Sequence, residues 1–163
     1  MRSILRLYDR FSLPSLNALQ SAFLLFVRLY WGWQFATNGW GKLHHLDKIT
    51  EYFESINVPH AALNARFVGS LELVGGILLF TGLFARLISI PLTINMTMAY
   101  WWGDHEAFLS FFKDPGTFYA AAPYTFWFAV LMVLVFGPGL FSLDYLIKRA
   151  LGSNREHVRS VAA

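Results

Sequence analysis

The residues of this chain that could do chemistry sit in apolar company. The stretch VRLYWGWQFATNGWGK, Val27 to Lys42, sets Arg28 inside an aromatic run and follows it with Gln34, Asn38 and Lys42. At about 100° per residue these four fall within an arc of roughly 120° on a helix, one polar stripe. A second apolar run carries Glu72 framed by Gly69, Gly75 and Gly76, and a third carries Thr93, Asn95 and Thr97. Charges within apolar helices turn inward and pair or line a wet cavity. Arg28 and Glu72 are therefore expected to be partners, with Asn95 beside them able to donate and accept. Such a pocket either fixes helix register, as buried polar groups can, or binds the polar head of an apolar ligand. In the second case Glu72 would take and release a proton while Arg28 polarises a carbonyl oxygen, a combination that suits a quinone.

Axial position bears on that pairing. Arg28 lies about 18 Å below the outer end of its run and Glu72 about 9 Å, so the direct pair needs tilt or helix offset to close the gap. Without it, Glu72 meets Gln34, Asn38 or Lys42, and the pocket opens toward the outer leaflet.

The five histidines, His44, His45, His60, His105 and His157, all lie outside the apolar runs, which disfavours haem ligation inside a bundle. His44 and His45 with Asp47 are weak metal candidates, since no wider ligand pattern surrounds them; solvated loop histidines are the simpler reading. The chain has no cysteine, so it holds no iron–sulfur cluster or disulfide of its own, and any redox chemistry is borrowed. No spacing matches a phosphate-binding glycine loop, a zinc-protease pair or a nucleophile elbow.

The elements that would position these groups are long helices. Of 163 residues 56% are hydrophobic and 14% charged, and the mean hydropathy is +0.44, too apolar for an ordinary soluble domain. The reading is all-α: an integral membrane four-helix antiparallel bundle with interfacial amphipathic helices, a single domain over residues 1–163. Spans of about 20 apolar residues are expected near 19–40, 67–84, 87–102 and 123–136 or slightly longer. Outside them Arg2, Arg6, Arg10, Arg86, Lys148, Arg149, Arg155 and Arg159 oppose Lys42, Lys48, Arg66 and Lys113, eight against four. That bias puts both termini in the cytoplasm. The basic residues form no dense tract, so nucleic acid is not an expected partner.

Residues 1–18 read as a cytoplasmic amphipathic segment with Arg2, Arg6 and Arg10 on one face, suited to an anionic leaflet. The late apolar run without a small-residue cleavage site reads as a retained span rather than a signal peptide. Between spans one and two, Leu46, Ile49, Tyr52, Phe53 and Ile56 recur at helical spacing, predicting a short amphipathic helix before Asn57-Val58-Pro59. The connection from Gly103 to Ala122 reads as partly interfacial. Gly137-Pro138-Gly139 ends the fourth span, and 142–163 forms a cytoplasmic tail with an amphipathic start.

Three motifs in order, Arg28-x3-Gly32-x2-Phe35-x3-Gly39-x2-Lys42, Glu72-x2-Gly75-Gly76-x5-Gly82 and Gly137-Pro138-Gly139-x2-Ser142-Leu143-Asp144, resemble the DoxX family over about Ala22 to Leu146. The resemblance implies a small four-helix bacterial inner-membrane protein with Arg28, Lys42, Glu72 and Asp144 as signature polar residues. It also implies a link to quinone-dependent sulfur oxidation or terminal oxidation, or partnership with soluble redox enzymes or membrane assembly. The functional expectation is a quinone- or quinol-interacting membrane subunit of a redox system, with no covalently bound cofactor, a redox partner protein, and oxidoreductase activity only as part of that assembly. The alternative is a non-catalytic scaffold or assembly factor that contacts a partner through the helix at Leu46 to Ile56.

Overall fold

A computed structural model describes residues 2–151, with side chains described for Leu16 and from Ala18 onward. The tail beyond residue 151, including Arg155, His157 and Arg159, and the face formed by Arg2, Arg6 and Arg10 lie outside that description. The elements are α1 (Arg2–His44), α2 (Leu46–Ser55), α3 (Ala61–Thr81), α4 (Ala85–Gly103), α5 (His105–Leu109), α6 (Pro115–Ala120) and α7 (Tyr124–Phe136). Residues 143–151 are again helical, and there is no strand among the described residues. The all-α expectation holds.

Residues 1–18 were expected to form a segment of their own, but α1 runs unbroken from Arg2 to His44. The change from polar to apolar composition near residue 18 does not interrupt the helix. Similarly, α3 begins six residues before the apolar run at Phe67, because Asn64 and Arg66 lower hydropathy without interrupting helical hydrogen bonding.

The four long helices pack in the cyclic order α1, α3, α4, α7. Small residues set the first contact. A Cβ at Gly32 would meet the backbone of Phe80 and the Gly76 carbonyl; one at Gly39 would overlap Leu73 and the Gly69 carbonyl; one at Gly76 would overlap Ala36 and the Gly32 carbonyl. Residue numbers rise on α1 as they fall on α3, so the pair is antiparallel with backbones nearly touching, the geometry small residues permit. Gly75 faces the other way and receives Leu92 of α4. On α4 and α7, Arg86 pairs with the Val135 carbonyl and Trp127 with Thr97, again antiparallel.

The turn between α3 and α4 depends on Gly82, at φ 71°, whose N–H donates to the Leu78 carbonyl at 2.9 Å, closing the α3 C-terminus. The core joins Val27, Phe35, Leu79, Leu92, Met96, Val130 and Val133. A smaller aromatic cluster roofs the α4–α7 end, where Tyr100 stacks on Phe118 at 4.8 Å and donates its hydroxyl to that residue's carbonyl.

The outward faces are apolar. Phe23, Phe26, Trp33, Phe67, Val74, Ile77, Leu87, Ile90, Ile94 and Val135 are all exposed, whereas Arg28, Glu72 and Ser89 are buried. Among the described residues one helix, α3, is long and apolar enough to cross a membrane, and α7 is a shorter apolar helix. Gln34 and Asn38 in α1, and Arg86 with the hydroxyl residues in α4, dilute the apolar character of those helices.

Replacing Gly39 by Ala should destabilise the fold by about 1–3 kcal/mol, because the new methyl falls on backbone that cannot rotate away. Gly41→Ala, whose Cβ meets nothing within 4 Å, should leave stability within about 0.5 kcal/mol. Thermal unfolding of the two variants in one detergent checks this; equal melting temperatures would remove the seam from the account.

Candidate functional site

The close α1–α3 seam fixes which polar groups meet. Gly32 lies against Phe80 and Gly39 against Leu73, so Glu72 falls level with about Trp40, one helical step below Lys42. Lys42 Nζ lies 2.6 Å from both Glu72 oxygens, and Asn95 Nδ2 donates to Glu72 Oε1 at 3.1 Å. Glu72 is 2% exposed and Lys42 28%. The carboxylate is thus buried and gripped from two helices, while the ammonium reaches outward.

Arg28 does not pair with Glu72, contrary to expectation. Fourteen residues separate Arg28 from Lys42, about 21 Å along one helix, and the seam leaves Arg28 beside Gly82 instead. The offset needed for the direct pair would pull the glycines out of contact. Arg28 is 0% exposed, and its Nη2 donates to the Phe141 carbonyl at 2.6 Å. Its Nε and Nη1 have no hydrogen-bond partner among the described residues, so the guanidinium is held by shape as well as by hydrogen bonding. A Cβ at Gly82 would overlap Nη1, which gives that glycine a second reason besides its φ.

Asp144 stands close enough to act electrostatically on Arg28 without forming an ion pair. Its carboxylate accepts from the N–H groups of Phe84 at 2.8 Å and Ala85 at 3.1 Å, satisfying the orphan donors at the α4 N-terminus. Ser142 Oγ accepts from the Tyr145 N–H and so caps the helical stretch 143–151. The Gly137-to-Asp144 motif is therefore a clamp that fastens the end of α7 to the α3–α4 turn and to Arg28. In the sequence Asp144 stood out through the family resemblance alone; its carboxylate five residues after the Gly137-Pro138-Gly139 turn was the available signal for a capping role.

The expected stripe splits into two ends. Lys42, Glu72 and Asn95 come together at one, Arg28 stands at the other, and between them Gln34 is half-buried and Asn38 exposed; neither of the latter two side chains joins the network. Thr93 and Thr97 bond back to the carbonyls of Ser89 and Thr93 in their own helix. His44 and His45 turn Nδ1 toward the Trp40 and Gly41 carbonyls, at 2.9 and 3.0 Å. Among the described residues no three His, Cys, Asp or Glu side chains converge as a metal site would require.

Over the Lys42–Glu72–Asn95 triad lies a cavity of about 220 Å³. Helix α2, predicted from its apolar spacing, supplies Ile49, Tyr52 and Phe53 to its lining, with Ile56 just beyond its end; α4 supplies Met96, Met98 and Trp102. From the sequence Ile49 and Phe53 were expected to meet a partner protein and the others had no site role, because the apolar face of a short loop helix does not say what it covers. The result is an apolar chamber with an ammonium and a carboxamide as donors and one carboxylate at its polar end, able to hold a flat carbonyl-bearing group.

Apolar outer faces around buried charges define a helical membrane protein, since a chain folding in water places these groups the other way round. The profile of the DoxX family matches residues 23–105, just over half of the chain, and the chain belongs to that family. Both polar ends of α1, Glu72, Gly82 and Asn95 fall within the match; the Gly137-to-Asp144 clamp falls beyond it. No curated protein and no solved structure matches the chain.

Replacing Lys42 by Met should cost about 3 kcal/mol, toward the low end for breaking a buried pair because the lysine is partly exposed. Adding Glu72→Met should recover part of that loss, since the stranded carboxylate goes with it. A double-mutant cycle by thermal or denaturant unfolding measures the coupling, and strictly additive losses would show that the two groups do not interact.

Proposed function

We propose that the cavity over Glu72 binds the head group of a quinone or quinol, and that the protein is the quinone-interacting subunit of a multi-protein redox system in the bacterial inner membrane. In this reading α1 from about residue 19, α3, α4 and α7 all cross the bilayer, as four helices packed side by side with apolar outer faces would. Both termini are cytoplasmic, following the charge bias: Arg86, Lys148 and Arg149 lie at the Arg28 end, and Lys48, Arg66 and Lys113 at the opposite end. The cavity then opens at the outer leaflet.

The observation that carries the proposal is the Lys42–Glu72–Asn95 triad at the polar end of an aromatic chamber. Lys42, the triad member that reaches outward, and Asn95 donate to a carbonyl oxygen; Lys42 takes the polarising role that the sequence gave to Arg28. Glu72 accepts the proton of a bound quinol hydroxyl, with Lys42 as its counter-ion. Tyr52, Phe53 and Trp102 exclude water and pack on the ring. The electrons go to or come from a partner protein, because the chain has no cysteine and its histidines lie outside the apolar runs.

A second reading, a non-catalytic scaffold or assembly factor, draws on the other face of α2, where Asp47, Glu51 and Glu54 are exposed. Ile49 and Phe53, first expected to contact a partner, are half-buried and line the cavity, so the partner surface in this reading is the acidic face.

Protein extracted in mild detergent should carry co-purified quinone, and a short-chain quinol analogue should raise its melting temperature by a few degrees. Glu72→Gln and Trp102→Ala should abolish that shift. Quinone absent from the extract, with the analogue silent on wild type and Glu72→Gln alike, would remove the quinone reading. Loss of a co-purifying partner on charge reversal at Glu51 and Glu54, with the quinol response intact, would add the scaffold role.

A further inference from the structure

A second cavity, about 530 Å³, lies at the Arg28 end of the bundle between the α3–α4 turn, the Gly137-Pro138-Gly139 turn and the helical stretch 143–151. Its charged lining is Arg86, Asp144 and Lys148, and its apolar rim includes Leu87, Phe136 and Ile147, all exposed. The charges do not cancel. Asp144 is engaged by two backbone N–H groups and faces the field of buried Arg28, whereas Arg86 and Lys148 have no ion-pair partner among the described residues.

Arg86 is also held in place. Its Nη2 donates to the Val135 carbonyl at 3.2 Å, one of the acceptors freed at the α7 C-terminus. A Cβ at Gly137 would lie 3.1 Å from Arg86 Nε and Nη2, so the guanidinium lies along bare backbone and keeps most of its five donors free. A fixed guanidinium beside a flexible ammonium is a recognition pair for a phosphate oxyanion. The size falls within the range of small-molecule sites.

We propose that this cavity binds a phosphate group presented by an anionic phospholipid, with the phosphodiester between Arg86 and Lys148 and the acyl chains running over Leu87 and Phe136. The apolar rim decides the source: a soluble phosphate has no use for it, whereas a lipid has both a charge to pair and chains to lay on an outward apolar face. The bound lipid would tie the α3–α4 turn to the 143–151 segment, the two pieces that Asp144 already joins.

The test uses the full chain in mild detergent, with phosphatidylglycerol, phosphatidylcholine and inorganic phosphate as separate additions, read by melting temperature and by native mass spectrometry of retained lipid. Phosphatidylglycerol should stabilise and stay bound; phosphatidylcholine and phosphate should do neither. Lys148→Gln, at a residue whose side chain makes no hydrogen bond or ion pair among the described residues, should weaken the apparent affinity about fivefold and leave the melting temperature without lipid unchanged. Arg86→Gln should weaken it at least as much, and Lys113→Gln at the opposite end should have no effect. Equal responses to phosphatidylglycerol and phosphatidylcholine, or an unchanged preference in Lys148→Gln, would overturn the proposal. Inorganic phosphate acting as strongly as the lipid would overturn its lipid source.

Discussion

The backbone contact between α1 and α3 is the constraint on which the rest depends. Gly32, Ala36 and Gly39 meet Gly69, Leu73, Gly76 and Phe80, with no room for an added Cβ at Gly32, Gly39 or Gly76. Such a contact tolerates little axial sliding, because a shift of one residue carries a side chain into the opposing backbone. Helices in an apolar solvent gain nothing from hiding apolar surface against one another, so close packing and polar bonds must hold them. Here the packing sets the register and the polar bonds fasten its ends.

Those ends are unlike. At one, Lys42 and Asn95 grip a single carboxylate and leave an aromatic chamber above it. At the other, Arg28 is wholly buried and its bonded partner is a carbonyl of the chain's C-terminal portion. Arg28, Gly82, Asp144 and Ser142 form a structural knot: cation against bare backbone, carboxylate on helix N–H groups, hydroxyl on the next helix start. The charged groups of α1 have therefore separated in purpose, one bordering a space that can admit a ligand and the other closing the fold.

The α2 helix links the two readings of the chamber. Its apolar face covers the triad, and its outer face presents carboxylates to the solvent side. The face that a partner protein could touch is thus one helix diameter away from the face that a ligand would touch, and a partner docked on α2 would sit directly above the chamber.

Much of this was legible in the residues. Apolar runs gave the four long helices and the all-α class, and the 3.6-residue recurrence of Leu46 to Ile56 gave α2. Ala36 and the glycines marked the faces that meet but not their register: setting Gly32 against Gly76 and Gly39 against Gly69 would put Glu72 level with Ala36, whereas Gly32 and Gly39 lie against Phe80 and Leu73. Hydropathy conceals this, because it counts glycine as nearly neutral and ignores what its missing side chain permits. What only the tertiary structure decided is which charge meets which. Helical counting fixes the angle of a side chain about its own axis, but the axial offset between two helices is settled by their mutual packing. So Arg28 was sent to the Phe141 carbonyl and Glu72 to Lys42, a choice that neither helix contains alone.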